Sequence, residues 1–465
     1  MPTNSRLFWQ RDGDLLNRSL WNGDLLKGGL LFALGLYVAL AGLYLLAVPS
    51  GESPDEPGHL QCIEQVSLLR RLPQVDPPPS GQWWSPASVL SGHMCYHMPL
   101  YYILAGTLQL ATQRLAGGPL HYRFPPHNPE WGASPAMFAH ETDAVWWHTS
   151  EPPAVLVVRL ASIGLGGIVV WAGFRLARAL LPGRPPLATA SAIMVAGWPQ
   201  FVYMSRAISN DVLASALLVV VLVLLVDVGK PRRFAWATLA AVLATLAKLT
   251  AWFTAGLVVL VFAWELWLAH EERAAYLRPG LVSALLLGGL VLLFIWQPTL
   301  HAHLQQTLAS FTGVSPAVRS LAYWRDVFRL TLTSGWAHFG WMNLPAPAWQ
   351  AYGWWTLLAA AGLWGARNLW LNVAERPRPL VLLILVLWTA AVAGTYLRIN
   401  LNRFQPQFRF AFALLPIIST LAAAGYLDWF ARARRRQQVA VVLLAAILFL
   451  ANVWIVLSLI VPAYT

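Results

Sequence analysis

The fold is decided by an apolar run and the polar stretch that follows it. Residues 29–48 read GLLFALGLYVALAGLYLLAV, and residues 53–59 read Ser53-Pro54-Asp55-Glu56-Pro57-Gly58-His59. The apolar run is long enough for one membrane crossing, which takes about 20 residues. The polar stretch places two carboxylates and a histidine where that helix meets water, and ionisable groups at such a depth are candidates for function. The plain alternative is that the two carboxylates cap the next helix.

Composition places the chain in a lipid bilayer. Its 465 residues are 57% hydrophobic and only 11% charged, whereas a soluble domain carries about 25% charged residues. In a soluble protein, the net charge of +12 would indicate a nucleic-acid partner. Here the basic residues lie mainly in short loops between apolar runs, where topology accounts for them, so we expect no nucleic-acid partner. Residues 1–27 are polar and lead into a full-length run, which argues against a cleavable signal peptide.

Apolar runs of spanning length predict about 11 transmembrane helices. The runs cover residues 29–48, 153–173, 186–204, 212–228, 234–250, 251–268, 280–297, 350–366, 379–397, 408–427 and 438–460. The run at 98–115 is ambiguous because glutamines and a threonine interrupt it. If it does not cross and the N-terminus is cytoplasmic, the inner loops hold 19 of the 32 Lys and Arg residues, as the positive-inside rule requires. We therefore interpret it as an amphipathic or re-entrant helix on the outer face.

This topology predicts an all-α integral membrane protein with its chemistry outside. Residues 1–28 form a cytoplasmic segment, and residues 29–465 form one polytopic domain. The first outer loop, 49–152, is long and carries interfacial helices, and a second spans 298–349. Ten of the eleven histidines fall on the outer side. We expect a multi-pass protein of the inner (plasma) membrane with an extracytoplasmic site.

Both cysteines of the chain, Cys62 and Cys95, fall in the first outer loop. An extracytoplasmic compartment permits a disulfide between them. Two free thiols, or a metal site shared with nearby histidines, are the alternatives. No tight Cys-x-x-Cys pair supports zinc, so we assign no metal ligands. A divalent cation, Mg or Mn, beside Asp55 and Glu56 is compatible with the sequence but not required by it.

Further polar residues lie at predicted outer ends of the spans. Asp211 begins one span after a turn that contains Arg206, and helix capping is its plain interpretation. Lys248 lies between two short apolar runs, where it would either snorkel or contact a lipid phosphate. Arg403 and Arg409 flank the start of a late span, and guanidinium groups pair with phosphate in a bidentate way.

The order of these motifs resembles that of the GT-C superfamily of membrane glycosyltransferases. The pattern is most similar to a bacterial branch related to the protein O-mannosyltransferases and the lipid-A aminoarabinose transferases. The resemblance covers residues 29 to about 427. It is carried by Pro54-Asp55-Glu56-Pro57-Gly58-His59, His97-Met98-Pro99-Leu100-Tyr101-Tyr102, Val158-Arg159-Leu160, Ser209-Asn210-Asp211, Ala247-Lys248-Leu249-Thr250, Phe339-Gly340-Trp341, Gln407-Phe408-Arg409-Phe410 and Leu414-Leu415-Pro416. The chain has Met98-Pro99 where such proteins usually have two prolines, and residues 117–153 have no counterpart.

The resemblance implies an enzyme that transfers a sugar from a polyprenyl-phosphate donor. Asp55 would be the general base of an inverting reaction, with Glu56 beside it and Asp211 at the second acidic position. Basic side chains would hold the donor phosphate as its charge grows. The predicted phosphate-binding residues are His97, Lys248, Arg403 and Arg409, and His59 and Arg206 are further site residues.

Two rival functions are open at this point. A catalytically silent relative could serve as a structural subunit that docks a partner membrane protein through residues 117–153. A transporter of lipid-linked sugars would place its charges near the middle of the membrane. The polar residues instead gather at one predicted face, which favours the transferase.

Overall fold

The structure is a computed structural model and describes residues 24–74, 93–140, 145, 151–269, 272–371, 379–430 and 434–465. Most of the predicted cytoplasmic segment 1–28 lies outside the described residues. So do parts of the first predicted outer loop, residues 75–92, 141–144 and 146–150.

Helices make up most of the described chain. The α-helices are α1 Asp24–Ala47, α2 Glu56–Ser67, α3 Leu100–Ala116, α4 Pro153–Leu180, α5 Pro185–Ala196, α6 Pro199–Ser205, α7 Asn210–Val226, α8 Arg233–Ala247, α9 Phe253–Leu268, α10 Arg273–Trp296, α11 Pro298–Thr312, α12 Leu321–Trp336, α13 Ala348–Leu371, α14 Pro379–Asn402, α15 Leu415–Trp429, α16 Arg434–Ile455 and α17 Val461–Tyr464. Short 3₁₀ helices cover His93–Tyr96, Leu249–Trp252, Pro316–Arg319 and Phe408–Leu414, and a π-helix covers Val456–Ile460. Strands β1 His338–Phe339 and β2 Leu344–Pro345 form one antiparallel pair.

The predicted all-α membrane class is confirmed, but the count of about 11 spans is not. Within the described residues, seven helical segments are long and apolar enough to cross a membrane: Gly28–Ala47, Pro153–Leu180, Leu249–Leu268, Arg273–Trp296, Pro379–Asn402, Phe408–Trp429 and Arg435–Tyr464. The count becomes eight if α6 and α7, which meet at a bend of 115°, form one broken span. Helices α5 and α8 are apolar but shorter.

Breaks in the helices account for part of the difference. The predicted run 186–204 is divided at Gly197 and Trp198, because α5 ends at Ala196 and α6 begins at Pro199. The predicted turn near Lys248 is present, because α8 ends at Ala247 and Lys248 is extended. The ambiguous run 98–115 becomes the single helix α3, which packs on α2 and α4; its place at a membrane surface stays a prediction.

Small residues let the central helices approach closely. Helices α13 and α15 pack along each other, as do α7 with α8 and α4 with α5. At Gly425 an added Cβ would lie 1.8 Å from the carbonyl oxygen of Ala361. This backbone contact therefore requires glycine, as is common between membrane helices.

Candidate functional site

One cavity of about 520 Å³ gathers most of the predicted site residues. It lies among the loop before α2, the start of α7, the break after α8, the middle of α11 and the end of α14. Its lining includes two carboxylates, three cationic side chains and two histidines: Asp55, Asp211, Lys248, Arg403, Arg409, His59 and His97. Segments far apart in sequence therefore meet at one polar site.

Asp55 occupies a strained position at the head of α2. Its φ and ψ are 68° and −2°, in the left-handed region, and its side chain makes no capping hydrogen bond. The capping interpretation is therefore wrong for this residue. The carboxylate instead accepts a hydrogen bond from Nη2 of Arg409 at 2.5 Å, and Nη1 of Arg409 donates to the Pro54 carbonyl at 3.4 Å. Such backbone strain costs about 1–3 kcal/mol and persists only where the surroundings hold it.

Asp211 is a paired counter-ion and not a helix cap. Ser209 is the N-cap of α7, and its hydroxyl accepts the Asp211 N–H at 3.2 Å. The Asp211 carboxylate contacts the Lys248 ammonium and lies 3.5 Å from Nη1 of Arg409. Lys248 thus faces the cavity, because the extended backbone after α8 directs it there. Its side chain and that of Asp211 are both mostly buried.

The cavity lining carries an excess of positive charge. Arg409 serves both carboxylates, and Lys248 and Arg409 each lie about 5 Å from the Phe410 ring centroid, at 4.7 and 5.1 Å. Arg403 lies near the phenol of Tyr96; burial raises the pKa of that phenol, and the Arg403 charge acts to lower it by a smaller amount. No carboxylate in the described part of the chain forms an ion pair with Arg403. With both histidines neutral, two carboxylates and three cations leave one net positive charge, which favours an anionic ligand.

Burial keeps the two cavity histidines neutral. Burial lowers the pKa of His59 to about 4, although the neighbouring Asp55 and Asp211 act in the opposite direction. Burial, followed by the Lys248 charge, lowers the pKa of His97 well below its usual range. The rings stack at 5.8 Å, and Nδ1 of His59 lies 2.9 Å from the Tyr102 hydroxyl. They therefore supply hydrogen-bonding groups and not charge at neutral pH.

Two predicted site residues lie behind the cavity wall. Glu56 and Arg206 are 1% and 0% exposed and do not line the cavity. Arg206 donates to the Ser53 hydroxyl at 2.6 Å and stacks its guanidinium 4.6 Å from the Tyr203 ring centroid. Asp55 and Glu56 contact different partners, and a divalent cation beside them stays a prediction.

The predicted disulfide is present. Cys62 of α2 is bonded to Cys95 of the 3₁₀ helix His93–Tyr96, so neither sulfur is free for the alternative metal site. The bond holds the cavity residue His59 near His97. Within the described ranges no cluster of three or more His, Cys, Asp or Glu side chains is arranged to hold a metal ion.

Comparison with solved structures identifies the fold. The apo oligosaccharyltransferase of Archaeoglobus fulgidus aligns with a TM-score of 0.52 at 13% identity, over 96% of this chain and 56% of that one. ArnT from Cupriavidus metallidurans, solved with undecaprenyl phosphate, aligns with a TM-score of 0.50 at 13% identity, over 94% and 74%. The chain has the GT-C fold. It spans little more than half of the archaeal protein's length. Family models and curated protein sequences give no match.

Several residues that shape the site were not assigned to it from the sequence. Tyr96 lines the cavity, and the Tyr102 hydroxyl lies 2.9 Å from Nδ1 of the cavity residue His59. Arg159 is fully buried near the start of α4, and an ionisable residue in an apolar run is itself a signal of function. It contacts Glu151 at 3.3 Å. Hydropathy does not predict this pairing, because Arg159 lies within an apolar run and Glu151 lies before it.

The insert at 117–153 folds back onto its own chain over the part that is described. Glu52 accepts the N–H groups of Met137 and Phe138 at 3.0 Å each and contacts His140 at 2.7 Å. Glu64 accepts the Tyr122 N–H at 2.9 Å. Buried carboxylates therefore clamp both ends of residues 122–140. Docking of a partner protein on this insert stays a prediction.

Proposed function

We propose that the chain is an inverting glycosyltransferase that uses a polyprenyl-phosphate-linked sugar as donor. The acceptor would react in the described cavity, with Asp55 as general base. The site would face the extracytoplasmic side of the inner membrane, and the N-terminus would be cytoplasmic. The GT-C fold supports this class of reaction, since by their descriptions one of the solved proteins named above is an oligosaccharyltransferase and the other was solved with undecaprenyl phosphate bound.

The observation that carries the proposal is the division of roles between the two cavity carboxylates. The Asp55 side chain is 21% exposed and has one cationic partner, whereas that of Asp211 is 7% exposed and contacts two. An accessible carboxylate can take a proton from an acceptor. A buried carboxylate with two cationic partners is fixed in place and holds Lys248 and Arg409 at the cavity.

The reaction is then a single displacement. The acceptor's oxygen or nitrogen attacks the anomeric carbon while Asp55 takes its proton. The bond from that carbon to the phosphate oxygen breaks, and its electron pair leaves with the polyprenyl phosphate. The phosphate therefore gains negative charge, which Lys248, Arg403 and Arg409 offset. Charge arranged in advance in this way is usually the largest catalytic contribution, about 3 kcal/mol for each donor removed.

Donor binding would also release the base. In the resting structure Arg409 holds one oxygen, Oδ2, of the Asp55 carboxylate. A phosphate in the cavity would compete for the same guanidinium. Asp55 would then turn toward the acceptor only when the donor is present.

The test compares three strains by mass spectrometry of glycolipids and glycoproteins. The strains carry the wild-type gene, a deletion, and Asp55→Asn at equal protein level. We expect one glycan-bearing species to vanish in both mutants, and its mass to name the sugar and the acceptor. If the deletion has an effect while Asp55→Asn matches wild type, the enzyme assignment is wrong and a structural subunit takes its place.

A further inference from the structure

Glu56 follows Asp55 in the sequence but serves a different part of the molecule. Its carboxylate is 1% exposed and lies behind the cavity wall. Oε2 accepts the N–H of Gly51 at 3.1 Å, and Oε1 accepts the N–H of Ile208 at 3.1 Å. Both amides belong to loop backbone and not to a helix, so this one side chain satisfies two donors that the fold would otherwise bury unpaired.

These two amides lie in the segments that carry the cavity carboxylates. Gly51 is in the loop that leads to Asp55, and Ile208 is in the turn before Asp211. Gly51 has a φ of 93°, and a Cβ there would meet the Phe138 ring at 2.8 Å. That loop is therefore held tightly from outside as well as by Glu56.

Two buried arginines complete the surroundings of Glu56. Nε of Arg159 lies 3.7 Å from Oε1, and Nη1 of Arg206 lies 3.8 Å from Oε2. Arg206 also donates to the Ser53 hydroxyl at 2.6 Å. All three charged side chains are at most 1% exposed. A negatively charged group is thus required here, because it accepts two amides and balances two cations.

We propose that Glu56 is a positioning residue that holds the Asp55 loop and the Asp211 turn in register. This inference rests on the proposed function, because it takes Asp55 as the base. The tie keeps Asp55 in its left-handed conformation with the carboxylate aimed at Arg409 and the cavity. Glu56 itself touches no reacting atom. A misplacement of about 1 Å at a reacting group lowers turnover by about 100-fold.

Two substitutions separate the features of Glu56. Glu56→Gln keeps the shape but loses the charge between the arginines. Glu56→Asp keeps the charge but is too short to reach both amides. A matched control lies on the same helix: Glu64→Gln weakens a carboxylate that accepts the Tyr122 N–H at 2.9 Å and holds a segment away from the cavity.

The first measurement separates turnover from binding. The species that vanishes in the deletion strain is quantified per folded molecule, and binding of undecaprenyl phosphate to the purified protein is titrated. For both Glu56 variants we expect product formation to fall about 10- to 100-fold while affinity stays within about twofold, because the cations of the cavity remain. Glu64→Gln should keep wild-type turnover. Wild-type turnover per folded molecule in both Glu56 variants would overturn the inference.

The second measurement does not depend on turnover. Hydrogen exchange in detergent micelles reports the backbone amides of each segment. In Glu56→Gln we expect residues 49–55 and 206–209 to exchange together at least about tenfold faster, whereas Glu64→Gln accelerates residues 120–123. Unchanged exchange in both segments refutes the tie. If wild type and deletion strains have identical glycans, the proposed function fails, and the exchange data still decide whether Glu56 joins the two segments.

Discussion

Replacing the base should tighten the binding of the lipid phosphate. Asp55→Asn removes the carboxylate that holds Arg409 at 2.5 Å, and it removes one negative charge from the cavity. The donor phosphate then no longer competes with a carboxylate for the Arg409 guanidinium. The variant would be inactive and yet bind undecaprenyl phosphate more strongly than wild type, which neither misfolding nor a simple loss of the base would produce.

The size of the effect follows from the geometry. The Arg409 side chain is 4% exposed and that of Asp55 is 21% exposed, so water screens the pair only in part. A hydrogen bond between charged groups contributes about 1.5–3 kcal/mol. Arg409 keeps its contact with Asp211 at 3.5 Å, and an asparagine still offers a carbonyl oxygen, so we take about 1–2 kcal/mol as released. That corresponds to roughly 5- to 30-fold tighter binding.

The assay is a titration of undecaprenyl phosphate into purified protein in nanodiscs at pH 7.5, read by native mass spectrometry. Asp326→Asn is the control, because Asp326 undergoes the same chemical change at an exposed position beside Arg325 and Arg329, at 3.6 and 3.7 Å. It should leave the affinity unchanged. Equal or weaker binding by Asp55→Asn would refute the competition between carboxylate and phosphate.

Three further predictions follow from the same site. Arg403→Gln should weaken undecaprenyl phosphate binding about tenfold in the same titration, since it removes one charged donor. Replacing Cys62 and Cys95 with serine should lower the free energy of unfolding by about 3–4 kcal/mol in a denaturant titration, because the bond closes a loop with a sequence separation of 33. Burial lowers the pKa of His59 to about 4, so the unfolded state takes up the proton first as the pH falls. Stability is complete above the unfolded pKa of about 6.5 and is lost from there toward pH 4. Between pH 7.5 and 5.5 wild type should lose about 1.4 kcal/mol that His59→Gln retains.

The sequence located the site because its residues lie where apolar runs end. Asp55 follows the first run, Lys248 interrupts a pair of runs, and Arg409 opens a late one. Hydropathy reveals such junctions directly, and the charge bias of the loops assigns them to one predicted face. That these residues lie close together could therefore be predicted from the topology that the sequence indicates.

The pairings within the cavity could not be read in this way. Asp211 and Lys248 are 37 residues apart, and their contact depends on the packing of α7 against α8, which brings the start of one helix to the end of the other. The capping interpretation of Asp211 failed because Ser209, two residues earlier, is an equally good cap and occupies the N-cap position. Hydropathy also cannot reveal a break as short as Gly197-Trp198, which is why one predicted span became two helices.

The adjacent carboxylates Asp55 and Glu56 illustrate how one backbone angle separates two functions. In an ordinary helix, the side chains of neighbouring residues project about 100° apart around one axis. The positive φ of Asp55 instead ends the preceding loop and begins α2 in one step. Asp55 then faces the cavity, and Glu56 faces two buried backbone amides. The strain at Asp55 is stabilised by the hydrogen bonds that Glu56 and Arg409 make on either side. Relaxing that angle would move the proposed base even if every charged residue of the cavity were retained.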